Sequence, residues 1–223
     1  LRMPIPAQPD KQLYRVWVGF DDASQASTYP PMWLEHAIGG DLELPIQLRA
    51  ASQLAVISGR IANPLGEGVG GMSVQVYDEG NQLVSSSAVS LTASGLTGGT
   101  YRVVFDPQLA KNPKANLRLV VRPGPMTTGL PSLEAQIAPP MAGMEKVQNF
   151  VLPSQRTPVQ FMLPVKGLGP SGATQEVAAA RVVAQVHLED ASTPPGVRVS
   201  YTAQADTDAQ GIARLMLVPA PTV

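Results

Sequence analysis

The chain has 223 residues, with 16 Lys or Arg against 17 Asp or Glu, so its net charge is −1. This balance leaves no positive excess to bind nucleic acid or an anionic membrane surface. The chain contains no cysteine, which excludes disulfides, iron–sulfur clusters, cysteine zinc sites and thiol catalysis. Its 44% of apolar residues suffices for a sizeable core, and no apolar run reaches the roughly 18 residues of a membrane-spanning helix.

Apolar and polar residues alternate with a period of two along most of the chain. Such alternation is typical of half-buried antiparallel strands separated by turns rich in Gly, Pro, Asn and Asp. The predicted strands, in chain order, are Tyr14–Phe20, Leu42–Leu48, Val56–Ile61, Met72–Val76, Tyr101–Phe105, Leu117–Val121, Val159–Val165, Val197–Tyr201 and Ile212–Val218. The alanine-rich stretch Glu176–Val186 also suits a helix, although its β-branched valines leave that alternative open. The sequence therefore predicts an all-β fold.

Three pairs of predicted strands resemble each other at an interval of roughly 105 residues. The pairs are Tyr14–Val18 with Leu117–Val121, Leu42–Pro45 with Phe150–Pro153, and Leu54–Gly59 with Val159–Pro164. An internal repeat indicates a repeated structural unit, and about 100 residues is a common size for a β-sandwich domain. The sequence thus predicts tandem antiparallel β-sandwich modules.

The repeat divides the chain into three segments. Residues 53–156 are predicted to form a complete module, residues 1–52 the last strands of another module, and residues 157–223 the first strands of a further one. Three interpretations of the incomplete segments stay open. The chain is a slice of a longer array, or the two outer segments complete each other within one chain, or they do so between chains and build a head-to-tail polymer. Some completion is required, because half a sandwich exposes unpaired edges and an apolar face.

One further pattern extends over about half of the chain. A strand Val56–Ile61 leads through the Gly-rich turn Leu65–Gly71 into Met72–Asp78, and Gly98–Phe105 follows; Asp206–Gly211 takes the place of the last turn in the second copy. This order resembles the carboxypeptidase regulatory-like, or transthyretin-like (prealbumin-like), family of Ig-like β-sandwich modules. Such modules usually serve as structural, spacer or adhesion units in cell-envelope and extracellular proteins.

The resemblance implies a non-catalytic structural, adhesion or assembly module of an extracellular, periplasmic or cell-surface protein. Its partners would be other proteins or further copies of the module, bound through sheet edges and loops. Two alternatives are a glycan-binding module and an accessory domain of a larger enzyme. Within these residues the sequence predicts no catalytic residue and no cofactor, since His36 and His187 stand alone and no nucleophile motif is present.

Aromatic residues near the amino terminus are the candidate partner-binding residues. Trp17 lies on the polar side of its predicted strand, and Tyr29 and Trp33 are predicted to lie in the loop Tyr29–Trp33. Exposed aromatic rings stack on sugars or anchor protein partners. Packing between modules or at the end of a sandwich is the alternative role of these rings.

The segment Asp206–Gly211 resembles the first half of a calcium-binding loop, which makes Asp206 and Asp208 weak metal-ligand candidates. The twelfth position of such a loop would be Leu217, which has no carboxylate. A turn, in which Asp accepts backbone N–H bonds and Gly takes a positive φ, is the alternative.

Overall fold

A computed structural model describes residues 13–19, 28–37, 47–110, 112, 115–125, 127, 129–154, 157–188 and 196–218. The chain is all-β: these residues form sixteen strands and two short 3-10 turns. The strands are β1 Leu13–Val18, β2 Met32–Ala37, β3 Ala55–Ala62, β4 Met72–Tyr77, β5 Ala88–Val89, β6 Thr100–Phe105, β7 Leu117–Pro123, β8 Ser132–Ile137, β9 Glu145–Val147, β10 Phe150–Val151, β11 Val159–Pro164, β12 Lys166–Leu168, β13 Thr174–Glu176, β14 Arg181–Leu188, β15 Val197–Asp206 and β16 Ile212–Leu217.

Two sheets share the main hydrophobic core, an arrangement consistent with a β-sandwich. One sheet has the order β10-β3-β6, with β9 also paired to β3, and the other has the order β14-β15-β8-β7-β4-β5. Alternate residues of each strand enter the core, as in β4, where Met72, Val74 and Val76 are fully buried. They meet Ile57 and Phe105 of the other sheet in one cluster of buried side chains. The period of two in the sequence is therefore the pattern that builds this core.

Two short strands depart from the predicted antiparallel arrangement. β9 and β10 both pair with β3 in parallel, with Ile57 opposite Lys146 and Ile61 opposite Phe150. Between them, Gln148 approaches β3 so closely that only a glycine fits at position 59. A Cβ at Gly59 would lie 1.8 Å from the carbonyl oxygen of Gln148. The sequence predicts the alternation of apolar and polar residues in β3, but it does not predict that the neighbouring strands β9 and β10 run parallel to β3.

Tyr101 of β6 also contacts Gln148, and its burial makes the stability of the fold depend on pH. Its hydroxyl donates a hydrogen bond to the carbonyl oxygen of Gln148 at 2.5 Å, and burial raises the pKa of Tyr101 above its ordinary value. The unfolded phenol ionises near pH 10, as tyrosine does in peptides, while the folded state retains the proton. This contribution to stability is therefore complete below about pH 10 and is lost as the pH rises further.

We expect Tyr101→Phe to remove part of the loss of stability above pH 10. Urea unfolding of the wild type and of the variant between pH 8 and pH 11 measures the difference. The wild type should lose stability more steeply than the variant at the alkaline end. Equal slopes would show that Tyr101 ionises alike in both states.

Residues after 157 extend the six-stranded sheet across the predicted boundary between modules. β15 pairs with β8, with Val197 opposite Ala135 and Ser200 opposite Ser132, and β14 pairs with the other edge of β15. Val199 is fully buried in the main cluster. β11 pairs with β16 and β12 with β13 in two separate ladders. The segment predicted to begin a further module thus shares a sheet with the complete one.

Two local expectations have direct outcomes, and a third lies mostly outside the described residues. Residues 181–188 form the strand β14, so the helix alternative is excluded there; β-branched side chains favour this state. The prediction that Trp33 lies in a loop is wrong, because Trp33 belongs to β2. Most of the predicted strand Leu42–Leu48 lies outside the described residues.

Candidate interaction surface

Two antiparallel pairs of strands repeat the same register. In residues 55–151, which we call the complete sandwich, β3 lies beside β6 with Ile57 opposite Val103. In the C-terminal segment, β11 lies beside β16 with Phe161 opposite Leu215. The first strands differ by 104 residues and the second by 112, so the pair as a whole is displaced by 108. The repeat of strand pairing differs from the repeat in the sequence by one residue in β11, where Phe161, opposite the buried Leu215, takes the place of Ile57.

The two pairs differ in what covers them. Ile57 and Val103 are both fully buried. In the second pair Leu215 is buried as well, but Phe161 is 48% exposed and its neighbour Val159 is 51% exposed. Both residues alternate toward the side of β11 that corresponds to the core side of β3. Among the described residues, nothing gives the apolar face of β11 the cover that β3 has in the complete sandwich.

β14 has a neighbour on one side only in the described part of the chain. We take β4 as its counterpart, because β4 follows β3 and pairs with β5 as β14 follows β11 and pairs with β15. β4 lies between β5 and β7, whereas β14 ends the six-stranded sheet and, among the described residues, pairs with β15 alone. The eight residues of β14 form a long edge, and unpaired N–H and C=O groups on such an edge can accept another strand. We call the free edge of β14 (Arg181–Leu188) together with Val159 and Phe161 the open end.

The side chains of β14 alternate in the way expected of a strand that faces a core. Val182, Ala184 and Val186 are half-buried, and the intervening Val183 and Gln185 are exposed. Opposite them on β15, Tyr201 is buried, so the inward face of β14 leads directly into the main core. A strand added to β14 would extend that core.

Asp206 and Asp208 are held by groups of the chain itself. Asp206 Oδ1 accepts a hydrogen bond from Arg181 Nε at 3.1 Å on the surface. Asp208 Oδ1 accepts the N–H groups of Ile212 at 2.9 Å and Gln210 at 3.0 Å, and its other oxygen pairs with Arg214.

This geometry is that of the turn before β16. The bond from Ile212 and the contact with Arg214 hold the pKa of the Asp208 carboxyl below its ordinary value. Gly211 has φ +68°, the backbone conformation that the turn alternative requires. Among the described residues no group of three or more His, Asp or Glu side chains is placed to hold a metal ion. A role of Asp206 and Asp208 as metal ligands stays a prediction.

The aromatic candidates lie on and beside the β1–β2 hairpin. Trp17 and Trp33 are direct partners in this ladder. Trp17 is 52% exposed, and its ring lies over Gly19, where a Cβ would come within 2.1 Å of the indole. Tyr29 is half-buried before two buried prolines. The structure thus brings Trp17 and Trp33 together on the backbone, and a role in glycan or partner binding stays a prediction.

An apolar cavity adjoins the junction between the complete sandwich and the C-terminal segment. It has a volume of about 700 Å³, and its lining includes Leu130, Leu152 and Tyr201. None of the residues that line it is a carboxylate, a histidine or a lysine.

No protein-family model matches this chain, and no curated protein matches it significantly. The resemblance to transthyretin-like modules accordingly stays a prediction. In the described part of the chain, no helix is long and apolar enough to cross a membrane. No individual residue in the sequence indicates the open end. The repeat does indicate it, because it shows which strands of the C-terminal segment lack the neighbours that their counterparts have.

Proposed function

We propose that this chain is a non-catalytic, load-bearing assembly module of a cell-envelope or extracellular protein, built from tandem Ig-like β-sandwich modules. Its sandwich holds attached segments at a fixed spacing, and its open end provides contacts to partner proteins. The observation that supports it most strongly is the parallel pairing of β3 with β9 and β10. These are the first and last strands of the complete sandwich.

Parallel terminal strands resist tension because of their geometry. A pull on the residue before β3 and on the residue after β10 acts along both strands in opposite directions. All the hydrogen bonds between the strands are then loaded together, whereas an antiparallel pair pulled from one end opens one bond at a time. The former arrangement requires the larger force for the same number of bonds.

Backbone hydrogen bonds of 2.8–2.9 Å hold this contact along its whole length. An additional bond at 2.9 Å runs from the N–H of Arg60 to Asn149 Oδ1, where the backbone ladder is interrupted between β9 and β10. The backbone bonds, donor first, are Gly143 to Leu54, Val56 to Met144, Gln148 to Ser58 and Leu152 to Ala62. A continuous series of bonds between terminal strands is what a load-bearing role needs.

Single-molecule pulling tests this proposal. Since the chain has no cysteine, the exposed residues Ser52 and Ser154 can be replaced by cysteine as the only handle sites in the full chain. The variant Ser52→Cys with Ser154→Cys loads β3 against β10 in shear. We expect it to unfold at a clearly higher force than a control pulled in a different direction.

The control is Ser52→Cys with Gln108→Cys. Ala55 lies opposite Phe105, so residues 52 and 108 lie at the same end of the antiparallel β3–β6 pair and pulling them apart opens that pair from one end. Both variants contain the same fold and the same chemistry of attachment. Equal unfolding forces in the two directions would contradict a load-bearing role.

A further inference from the structure

We infer that the open end is completed by the β1–β2 hairpin of a second copy of this chain, with β1 pairing along the free edge of β14. The inference rests on the proposed function, since it names the partner of the surface assigned there to assembly. It predicts a head-to-tail chain of copies, in which each junction is a sandwich made from two polypeptides.

The hairpin β1–β2 has the register of the pair that completes the sandwich in residues 55–151. β1 and β2 are antiparallel, with Val16 opposite Leu34. β7 and β8 are antiparallel, with Leu119 opposite Ala135. β1 precedes β7 by 103 residues and β2 precedes β8 by 101, close to the interval that separates the repeated β3–β6 and β11–β16 pairs.

In the complete sandwich the corresponding hairpin, β7–β8, pairs with β4 and covers the core. β7 pairs with β4, with Val76 opposite Leu119 and Val74 opposite Val121. Leu119 and Leu133 of β7 and β8 then lie in the same buried cluster as Ile57. The counterparts of β4 and Ile57 at the open end are β14 and Phe161, and neither has this cover.

Applying the register of β4 and β7 to β14 and β1 predicts which residues of β14 and β1 lie opposite each other. For β4, which lies between β3 and β6 in the chain, we use the mean of their displacements, 108 residues, which takes Val76 to Ala184. The displacement of β7, 103 residues, takes Leu119 to Val16. Val16 is therefore expected opposite Ala184, and Val18 opposite Val182. Both β14 residues belong to its inward, half-buried set, so the transferred register keeps apolar residues facing the core on both strands.

The six-stranded sheet indicates that the hairpin comes from a different copy. β8 pairs with β15. Because β15 pairs with β14 as β5 pairs with β4, β15 is the counterpart of β5. By the same relation a copy's own β2 would lie beside its own β5, although in the described residues β2 pairs with β1 alone. β5 and β14 form opposite edges of this sheet, about 24 Å apart at about 4.8 Å for each strand spacing. One hairpin cannot occupy both edges, and a contact that joins unlike surfaces without closing produces a linear assembly.

Disulfide cross-linking tests the pairing. A Val16→Cys chain is mixed with an Ala184→Cys chain, and each carries one cysteine because the wild type has none. After mild oxidation we expect a disulfide-linked dimer of the two chains on a non-reducing gel, and a ladder of multimers from the double variant. The control replaces Ala184→Cys by Gln185→Cys, whose side chain lies on the exposed face of β14, and should give little product.

A second pair of variants tests the apolar cover without any cross-link. Phe161→Glu and Met162→Glu place the same charge at neighbouring, similarly exposed positions on opposite faces of β11. Light scattering over a hundredfold concentration range should show the mass of the wild type and of Met162→Glu rising at least twofold. The mass of Phe161→Glu should stay that of a monomer, and circular dichroism verifies that each variant is folded.

Four outcomes would overturn the inference. The first is a cross-link only within single chains of the double variant, the second is equal cross-linking through Gln185→Cys, and the third is association without cross-linking through Ala184→Cys. The fourth is a wild type that stays monomeric while the Val16→Cys and Ala184→Cys chains do not cross-link. None of these results alters the direction-dependent unfolding force, which tests the proposed function separately.

Discussion

Replacing Gly59 by alanine is expected to cost about 3 kcal/mol of the free energy of unfolding, the size of a severe overpacking change. The added Cβ would lie 1.8 Å from the backbone oxygen of Gln148 and 3.0 Å from the hydroxyl of Tyr101. The first of these atoms is backbone, so it cannot move aside by a rotamer change. The chain between β9 and β10 must then withdraw from β3, and the parallel contact weakens.

Urea unfolding measures this loss, and Gly80→Ala is the matched control. A Cβ at Gly80 would meet nothing closer than 3.4 Å, the side chain of Asp78, so the same substitution there should change stability by less than about 0.5 kcal/mol. Gly59→Ala should also lower the unfolding force in the shear direction. If it were as stable as Gly80→Ala, the close approach of Gln148 to β3 would be refuted.

Replacing Phe105 by alanine is expected to cost about 3–5 kcal/mol. Phe105 is among the largest fully buried side chains, and it lies at the end of β6 between both sheets of the sandwich. Removing its ring leaves a cavity that neighbouring strands cannot fill, because each is fixed by ladder hydrogen bonds. Denaturant unfolding at low protein concentration gives the free-energy difference.

Phe161→Ala is the matched control for this prediction. It removes the same atoms from a ring that is 48% exposed in the single chain, so it should cost less than half as much as Phe105→Ala. Comparable losses at the two positions would mean that Phe161 is buried in the isolated chain. That result would contradict the open end as the structure has it.

The strands themselves were largely predictable from local sequence. The predicted strands at Val56–Ile61, Met72–Val76, Leu117–Val121 and Ile212–Val218 are confirmed within a few residues, because alternation of apolar residues is a local signal for a half-buried strand. The strand β10 lies within the predicted strand Phe150–Pro153. The strand β9 was not predicted, because its three residues are too few to show a period.

The candidate residues divide in the same way. The turn chemistry of Asp208 is visible in six consecutive residues, and the structure has that turn. The loop predicted around Trp33 is a strand instead, because Met32–Ala37 pairs with β1, a contact that its own sequence does not display. Local hydrogen-bonding patterns were thus predictable, whereas cross-strand partners were not.

By itself the sequence determined the all-β class, the alternating core positions and the repeat of roughly 105 residues. Only the tertiary structure decided that β9 and β10 run parallel to β3, that β15 joins β8, and that β14 is an edge in the described part of the chain. The physical reason is the range of the interactions. A side-chain period is set by neighbouring residues, but the direction and order of strands depend on which distant backbone groups pair and which apolar faces they cover.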